Sequence, residues 1–341
     1  MNAQPIRAPF DDIRDLLAAM PGPDQGAVEA VTARQAKLIE PVGSLGRFDD
    51  LVAWLAAWQG KAAPTVNRPV VAVYAGNHGV AAHHVSPNPP EVTAKMVEAF
   101  AAGGGAINQI CVAYGLGLKV FDLALDRPTG DITREDALSE RDCAATMAFG
   151  MEALAGGTDL LCLGEMGVGG STAAAAVYNA LYGGTAADWV DRGPASDDAC
   201  MIRKRTAVAV AVTFHAGRVG DPLAILRCLG SRELAAMAGA ILAARSQRVP
   251  VIVDGYTPTA AAAVLHALNP DAIAHCLFAH VGGEASHRGI LERMGVTPLF
   301  DFGMRVGEGV GAALAAGLVK AALATHTGTA TSDKAGFARR G

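Results

Sequence analysis

The chain has 341 residues, of which 51% are hydrophobic and 18% charged, with a formal net charge of −5. A chain of this size and apolar content buries a substantial core as one large domain or two smaller ones, and its charge offers no basic face for nucleic acid. No uninterrupted apolar run of about 18 residues occurs, so no membrane span is expected; Met1 to Pro9 lack a basic-then-apolar secretory pattern, so a cytoplasmic location is expected.

The first sixty residues read as helical. Phe48, Leu51, Val52, Leu55 and Trp58 recur at helical spacing, with Ser44 as the expected N-cap and Gly60 as the stop. The pattern then changes to short apolar runs at Val70–Ala75, Leu118–Leu123, Leu160–Leu163, Val249–Val253, His275–Ala279 and Leu299–Phe302. Most are followed by small or polar turn residues and then by helix formers, the grammar of a parallel sheet buried on both faces. Ala207–Val212 fits a strand or a buried helix equally well. From His326 the composition turns small, polar and charged, and a disordered tail is expected over 326–341. The cysteines at 111, 143, 162, 200, 228 and 276 form no C-x-x-C pair and read as reduced core thiols.

An open parallel sheet binds ligands beyond the carboxyl ends of its strands. The unusual residues cluster there: Asn77-His78, Glu165 with Gly167 to Ser171, Asp254-Gly255, His280, and the Arg305/Glu308 segment. In Leu163-Gly-Glu-Met-Gly-Val-Gly-Gly-Ser-Thr172 the glycines open backbone amides to an anion, and Ser171 or Thr172 could cap the following helix. Glu165 inside that turn would repel a phosphate, which suggests a site that combines a phosphate with a proton acceptor. Glu308 repeats the pattern between Gly307 and Gly309, with Arg305 before it and an alanine-rich helix after it. The Gly307-x-Gly309-x-x-Ala312 spacing is not a dinucleotide fingerprint, because no second βαβ unit follows and an acid occupies the cradle. A helix-start glutamate serving only the helix dipole is the plain alternative.

The spacing of His78, His83 and His84 fits no common zinc pattern and no nearby ligand closes a set, so they read as loop or helix-start residues. His266 and His275 fall in apolar stretches and read as core residues. Neither a G-x-S-x-G elbow nor a Walker A loop is present, which disfavours a serine hydrolase or a P-loop nucleotidase.

Eight collinear segments between about residues 30 and 320 resemble the nicotinate-nucleotide–dimethylbenzimidazole phosphoribosyltransferase family of cobalamin biosynthesis. They are Pro41-Val-Gly-Ser-Leu-Gly-Arg47, Ala75-Gly-Asn-His-Gly-Val80, Ser86 through Glu91-Val-Thr-Ala-Lys-Met96, Gly103-Gly-Gly-Ala-Ile-Asn108, Leu163-Gly-Glu-Met-Gly-Val168, Asp197-Asp198 with Arg203-Lys204, Asp254-Gly255, and Phe302-Gly-Met-Arg-Val-Gly-Glu-Gly-Val-Gly-Ala312. The resemblance implies a doubly wound, largely parallel, Rossmann-like α/β domain over 61–325. A smaller helical domain would combine residues 1–60 with carboxy-terminal helix segments, and the protein would be a homodimer.

The implied reaction moves the 5-phosphoribosyl group from nicotinate mononucleotide to 5,6-dimethylbenzimidazole, giving α-ribazole 5′-phosphate and nicotinate, with no cofactor or metal. The resemblance makes Glu308 the general base, Glu165 a second active-site glutamate and Met166 an apolar neighbour. It places Gly193, Lys204, Arg305 and Gly307 around the mononucleotide, with Gly167 in the same turn, and Ser86 and Asn88 in the acceptor pocket. Departures from the family pattern are Asn77 for an aspartate, Asn88 and Pro90 for a tyrosine and a glutamine or arginine, and Asp191-Arg-Gly-Pro-Ala195 for a glycine-rich phosphate loop. Asp191 and Ala195 would disfavour close phosphate approach. Two alternatives stay open at this point: a related enzyme for another lower-ligand base such as adenine or a phenol, and a non-catalytic nucleotide-binding homologue.

Overall fold

The computed structural model describes residues 7–193 and 196–336. Five strands, β1 (Pro69–Ala75), β2 (Gly117–Asp122), β3 (Leu160–Met166), β4 (Val251–Val253) and β5 (Cys276–Phe278), form one sheet in the order β2-β1-β3-β4-β5. Every pairing is parallel, with Val73 opposite Gly164, Leu163 opposite Val253 and Val253 opposite Phe278. Five of the six apolar runs therefore become strands. The sixth, Leu299–Phe302, makes only a single parallel bridge, His280 to Phe300. The run follows Pro298 and is interrupted by the exposed Asp301, and Phe302 turns out to solvent, 70% exposed, stacked on Phe300.

Alternation along the strands sorts the core into two layers. Ala72, Tyr74, Leu161, Leu163, Val251 and Val253 pack on one side with the helices Gly170–Tyr182, Arg232–Ser246 and Tyr256–Leu268. Val71, Val73, Leu160, Cys162 and Ile252 pack on the other with the helices Arg47–Gln59, Ala106–Tyr114 and Val310–Gly328. Helices on both faces of a parallel sheet make this a doubly wound α/β fold. All six cysteines are buried and free. Val310–Gly328 is long and apolar enough to cross a bilayer by length alone, but Ala312, Ala316 and Val319 lie within the core layer.

Two local expectations need correction, and one open alternative is resolved. The helix Arg47–Gln59 starts at Gly46, with no side-chain cap from Ser44; Gly60 does end it in the left-handed conformation. Ala207–Val212 lies inside the helix Asp198–His215. Residues 326–336 are ordered, because the amino-terminal segment holds them: Arg34 donates to the His326 and Thr327 carbonyls, Ile39 N–H to Ala330 O, and Leu38 bridges Thr331. A polar composition read alone misses backbone partners supplied from the other end of the chain. The remainder of the expected tail, 337–341, lies outside the described residues.

Candidate active site

The sheet order reverses at β1, whose neighbours β2 and β3 are reached by crossovers in opposite directions, and this opens a crevice beyond the carboxyl ends of β1 and β3. A cavity of about 290 Å3 lies there, lined by Ser86, Asn88, Met166, Gly167, Gly193, Lys204, Arg305, Gly307 and Glu308, among others. An adjoining lobe of about 180 Å3 shares Gly167, Ser171, Gly193, Arg305 and Gly307 and adds Glu165, Thr257, His280 and Glu284. All ten residues singled out in the sequence thus meet around one two-lobed space. Pro194 and Ala195 of the divergent loop lie outside the described residues.

Glu308 is held by backbone rather than by side-chain partners. Its φ of 69° is left-handed, a conformation that costs an L-residue with a Cβ roughly 1–2 kcal/mol. Its N–H donates to Glu165 O at 3.0 Å, tying the segment to the end of β3. A methyl group on Gly164 would collide with the Gly309 backbone, so only glycine lets the two chains lie this close. The first amides of the helix Val310–Gly328 are taken by Asp254: Gly309 N–H donates to Oδ2 at 3.1 Å and Ala312 N–H to Oδ1 at 3.0 Å. Glu308 is therefore free of the capping role that the plain reading would give it. Only 9% exposed, it has its carboxyl pushed above the ordinary value by burial and then by the Asp254 charge.

Glu165 lies in a different setting. Burial, followed by the charge of Glu233, pushes its carboxyl up to about 8, against the opposing influence of His78 and the Thr257 hydroxyl. Its Oε2 is shut off from solvent with no hydrogen-bond partner. Behind it, His78 Nε2 lies 3.2 Å from Glu233 Oε1, both side chains 1% exposed, and His78 Nδ1 lies 3.0 Å from Val168 O. Glu233 was invisible in the sequence: an acid in the first turn of the helix Arg232–Ser246 reads as an ordinary dipole partner.

The cationic side of the cavity is built by Lys204 and Arg305. Lys204 is buried, its Nζ donates to Ser171 Oγ at 2.8 Å, and burial lowers its pKa. Arg305 is exposed and its Nη1 donates to Arg192 O at 2.7 Å. Glu284, also missed in the sequence, faces the same lobe with its carboxyl raised by burial. Asp191 accepts from the Arg192 and Ala285 amides and so organises the loop. Ser86 Oγ accepts from Asn88 N–H at 3.1 Å, leaving the Asn88 side chain exposed at the mouth. Asn77 ties its loop to Leu125 O through Nδ2 at 3.0 Å. Neither Ser171 nor Thr172 caps its helix: the N-cap is Gly169 at φ 101°, which the expected hydroxyl caps cannot replace.

The histidines separate. His83 Nε2 sits 2.9 Å from Asp131 Oδ2, His84 is exposed at φ 52°, and His78 faces Glu233 in the interior, so His78 is no mere loop residue. His275 is a core residue bonded to Ile241 O, but His266 is half-buried at a helix end and not in the core. The one metal-capable cluster among the described residues, Asp136, His215 and Cys228, lies away from the cavity and has Arg227 on Asp136.

A family model described as phosphoribosyltransferase matches residues 20–337. The nicotinate-nucleotide–dimethylbenzimidazole phosphoribosyltransferase of Brucella anthropi is 63% identical over 329 residues, covering 96% of this chain and 97% of that protein. The chain belongs to this phosphoribosyltransferase family. The Brucella canis relative of the same name is likewise 63% identical, over 328 residues. Among solved structures, CobT from Thermus thermophilus superposes with a TM-score of 0.84 at 33% identity, over 92% of this chain and 100% of that one. A second Thermus thermophilus structure, of nicotinate-nucleotide–dimethylbenzimidazole phosphoribosyltransferase, gives 0.83 at the same identity, over 93% of this chain and 100% of that one. Family membership covers both the sheet and the crevice, so the family resemblance and the cavity point to the same end of the molecule.

Proposed function

We propose that this protein transfers the 5-phosphoribosyl group of nicotinate mononucleotide to 5,6-dimethylbenzimidazole, releasing nicotinate and forming α-ribazole 5′-phosphate for the cobalamin nucleotide loop. The observation that carries the reading is the convergence of a water-shielded Glu308 with Lys204 and Arg305 around one cavity. Nicotinate leaves from a pyridinium, so its departure needs little acid help. The acceptor azole must lose a proton as its other nitrogen attacks C1′, and Glu308 is the base for that proton. A carboxyl raised by burial and by Asp254 is a better base than a solvated one, and such help is worth about 10²–10⁴-fold. Inversion at C1′ needs donor and acceptor on opposite ribose faces, so positioning supplies much of the remaining rate.

Lys204 and Arg305 take the phosphate, assisted by the amides of Gly193 and Gly307. Met166 and Gly167 form the floor beneath the ribose, and Ser86 and Asn88 border the acceptor. The buried free cysteines support a reducing, cytoplasmic setting. A homodimer is the assembly that the family resemblance implies. The deciding assay combines purified protein, nicotinate mononucleotide and a panel of bases, with products separated by chromatography. The expected result is nicotinate release that depends on 5,6-dimethylbenzimidazole. Release only with another base sinks the acceptor assignment, and no release with any base sinks the enzyme.

A further inference from the structure

The His78–Glu233 pair is outside the machinery just described, yet it is built into the wall of the site. The helix start beside β3 is shaped around it: a methyl group on Gly167 would overlap Glu233 Oε1 and come within 2.8 Å of the His78 ring. A methyl group on Gly76, at the end of β1, would overlap the same carboxylate. At Gly170 the corresponding point lies 3.1 Å from Glu165 Oε2 and 3.6 Å from the His78 ring, so Glu165 and His78 share one wall. Three titratable groups are thus packed together, one imidazole for two carboxyl groups. His78 Nε2 faces Glu233 Oε1 at 3.2 Å without hydrogen-bond geometry, and Glu165 Oε2 is sealed in with no partner. An unpaired buried charge is far more costly than its neutral form.

We propose that Glu233 is a positioning residue that engages the His78 imidazole and, in this buried wall, keeps the Glu165 carboxyl protonated and neutral, so that the cavity accepts the anionic mononucleotide. An ionised Glu165 would repel both the phosphate and the nicotinate carboxylate. The groups facing Glu165 are Glu233 on the helix Arg232–Ser246, His78 after β1, Asp254 after β4 and the Thr257 hydroxyl on the helix Tyr256–Leu268. Two of these three charges are negative, which leaves the balance against a second anion. The other ionisable groups lining the two lobes are Lys204, Arg305, His280, Tyr256, Glu284 and Glu308, of which Lys204 is engaged by Ser171, Arg305 by Arg192 O, His280 by Asp254 and Tyr256 by Trp189 O. The direction agrees with the raised Glu165 carboxyl, and His78, which burial alone would lower, is held above its ordinary value chiefly by Glu233.

The substrate half of this inference rests on the function proposed above; the protonation half does not. Infrared spectroscopy of the unliganded protein tests the second by following the protonated-carboxyl C=O band that Glu165→Gln deletes. The band is expected at pH 7 and lost as pH rises through about 8. Glu233→Gln frees the His78 cation for Glu165 and moves the midpoint down, whereas His78→Gln removes the cation and moves it up, each by about 1–3 pH units. Simple loosening of the wall would hydrate Glu165 and lower the midpoint in both variants. No Glu165-dependent band at pH 7, or midpoints that fall together, overturns the proposal, and a Glu233→Gln midpoint that does not fall below that of wild type overturns the role of Glu233 even if His78→Gln does not fold. The substrate arm is titration with nicotinate mononucleotide: wild-type affinity should weaken on the order of tenfold between pH 7 and 9, as a like charge forms in a low-dielectric site, while Glu165→Gln should bind equally at both. Equal affinity of the wild type at both pH values overturns the substrate half. Failure of the wild type to bind mononucleotide at any pH, with the band intact, instead overturns the functional reading on which that half depends.

Discussion

The Glu308 N–H donates to the Glu165 carbonyl at 3.0 Å, so the two glutamates of the cavity are joined through backbone while their side chains occupy different electrostatic settings. Glu308 is raised by burial and Asp254, and Glu165 by burial and Glu233. One bond fixes the distance between an expected proton acceptor and a second, more strongly perturbed carboxyl. Glu308→Gln keeps that bond and the side-chain volume but removes the base. Turnover should fall at least about 10²-fold, with mononucleotide affinity within threefold of wild type, roughly 0.6 kcal/mol. Calorimetric binding alongside steady-state turnover checks both, and unchanged turnover removes Glu308 from the mechanism.

The left-handed backbone at Glu308 predicts an ordering among replacements that is independent of catalysis. At φ 69° a Cβ is strained, and glycine is not. Glu308→Gly should therefore unfold at a higher denaturant midpoint than Glu308→Ala, by about 1 kcal/mol, although both lose the carboxyl. Equilibrium denaturation of the two variants side by side measures the difference. Equal stability would mean that the strain is relieved elsewhere.

Much of this arrangement was legible in the sequence because it lies in short motifs at strand ends. The runs that became β1 to β5 are apolar and nearly continuous, and the rule that ligands gather beyond the carboxyl ends of parallel strands brought Glu165, Asp254 and Glu308 to one rim. Glu233 and Glu284 were not legible: each looks like an ordinary helix-start acid, and only packing turns it toward the cavity. The Leu299–Phe302 run failed as a strand although its amides bond to Phe278 O and Ala279 O, because a ladder needs successive bridged residues and this segment forms one bridge before Asp301 and Phe302 turn to solvent. The order in residues 326–336 was missed for the converse reason, since the partners that hold them are the Arg34 guanidinium and the backbone of Lys37 and Ile39.

Stability should depend on pH with the sign set by Glu165. Its folded value of about 8 lies above its ordinary 4.5, so between these limits the native state holds a proton that the unfolded chain has released. The contribution is fully present below pH 4.5 and is lost as pH rises through about 8. Glu308 and His78, both raised, act in the same direction. Wild-type unfolding free energy should thus fall more steeply than that of Glu165→Gln across this window. Urea melts at several pH values give both slopes, and parallel slopes would contradict the perturbed carboxyl.

Arg305 predicts a separation of binding from chemistry. Its guanidinium is exposed and held at one nitrogen by Arg192 O, which leaves the rest of the fork for an anion. Arg305→Ala should raise KM for nicotinate mononucleotide by about 10–100-fold, the equivalent of one charge-assisted contact, with a smaller change in kcat. Arg305→Lys should recover part of the loss, because the charge returns without the planar fork. A kcat loss that dominates KM would place Arg305 at the transition state instead.

Asp254 links the start of the helix Val310–Gly328 to Glu308, the proposed base. It is fully buried, its two oxygens accept from Gly309 and Ala312, and His280 Nε2 lies 3.3 Å from Oδ1. Its charge raises the Glu308 carboxyl, so Asp254→Asn should let Glu308 ionise at lower pH. A base must be deprotonated to act, so activity rises with pH through the Glu308 value, and the variant's acid limb of kcat/KM should lie below that of wild type. The same change replaces one acceptor by an amide facing a backbone N–H, at a cost of about 1–3 kcal/mol in stability. Asp254→Ala removes the charge as well but leaves both amides unmet, so it should shift the acid limb in the same direction and destabilise further. If the acid limb stays in place while stability falls in both variants, Asp254 holds the helix but does not tune the base.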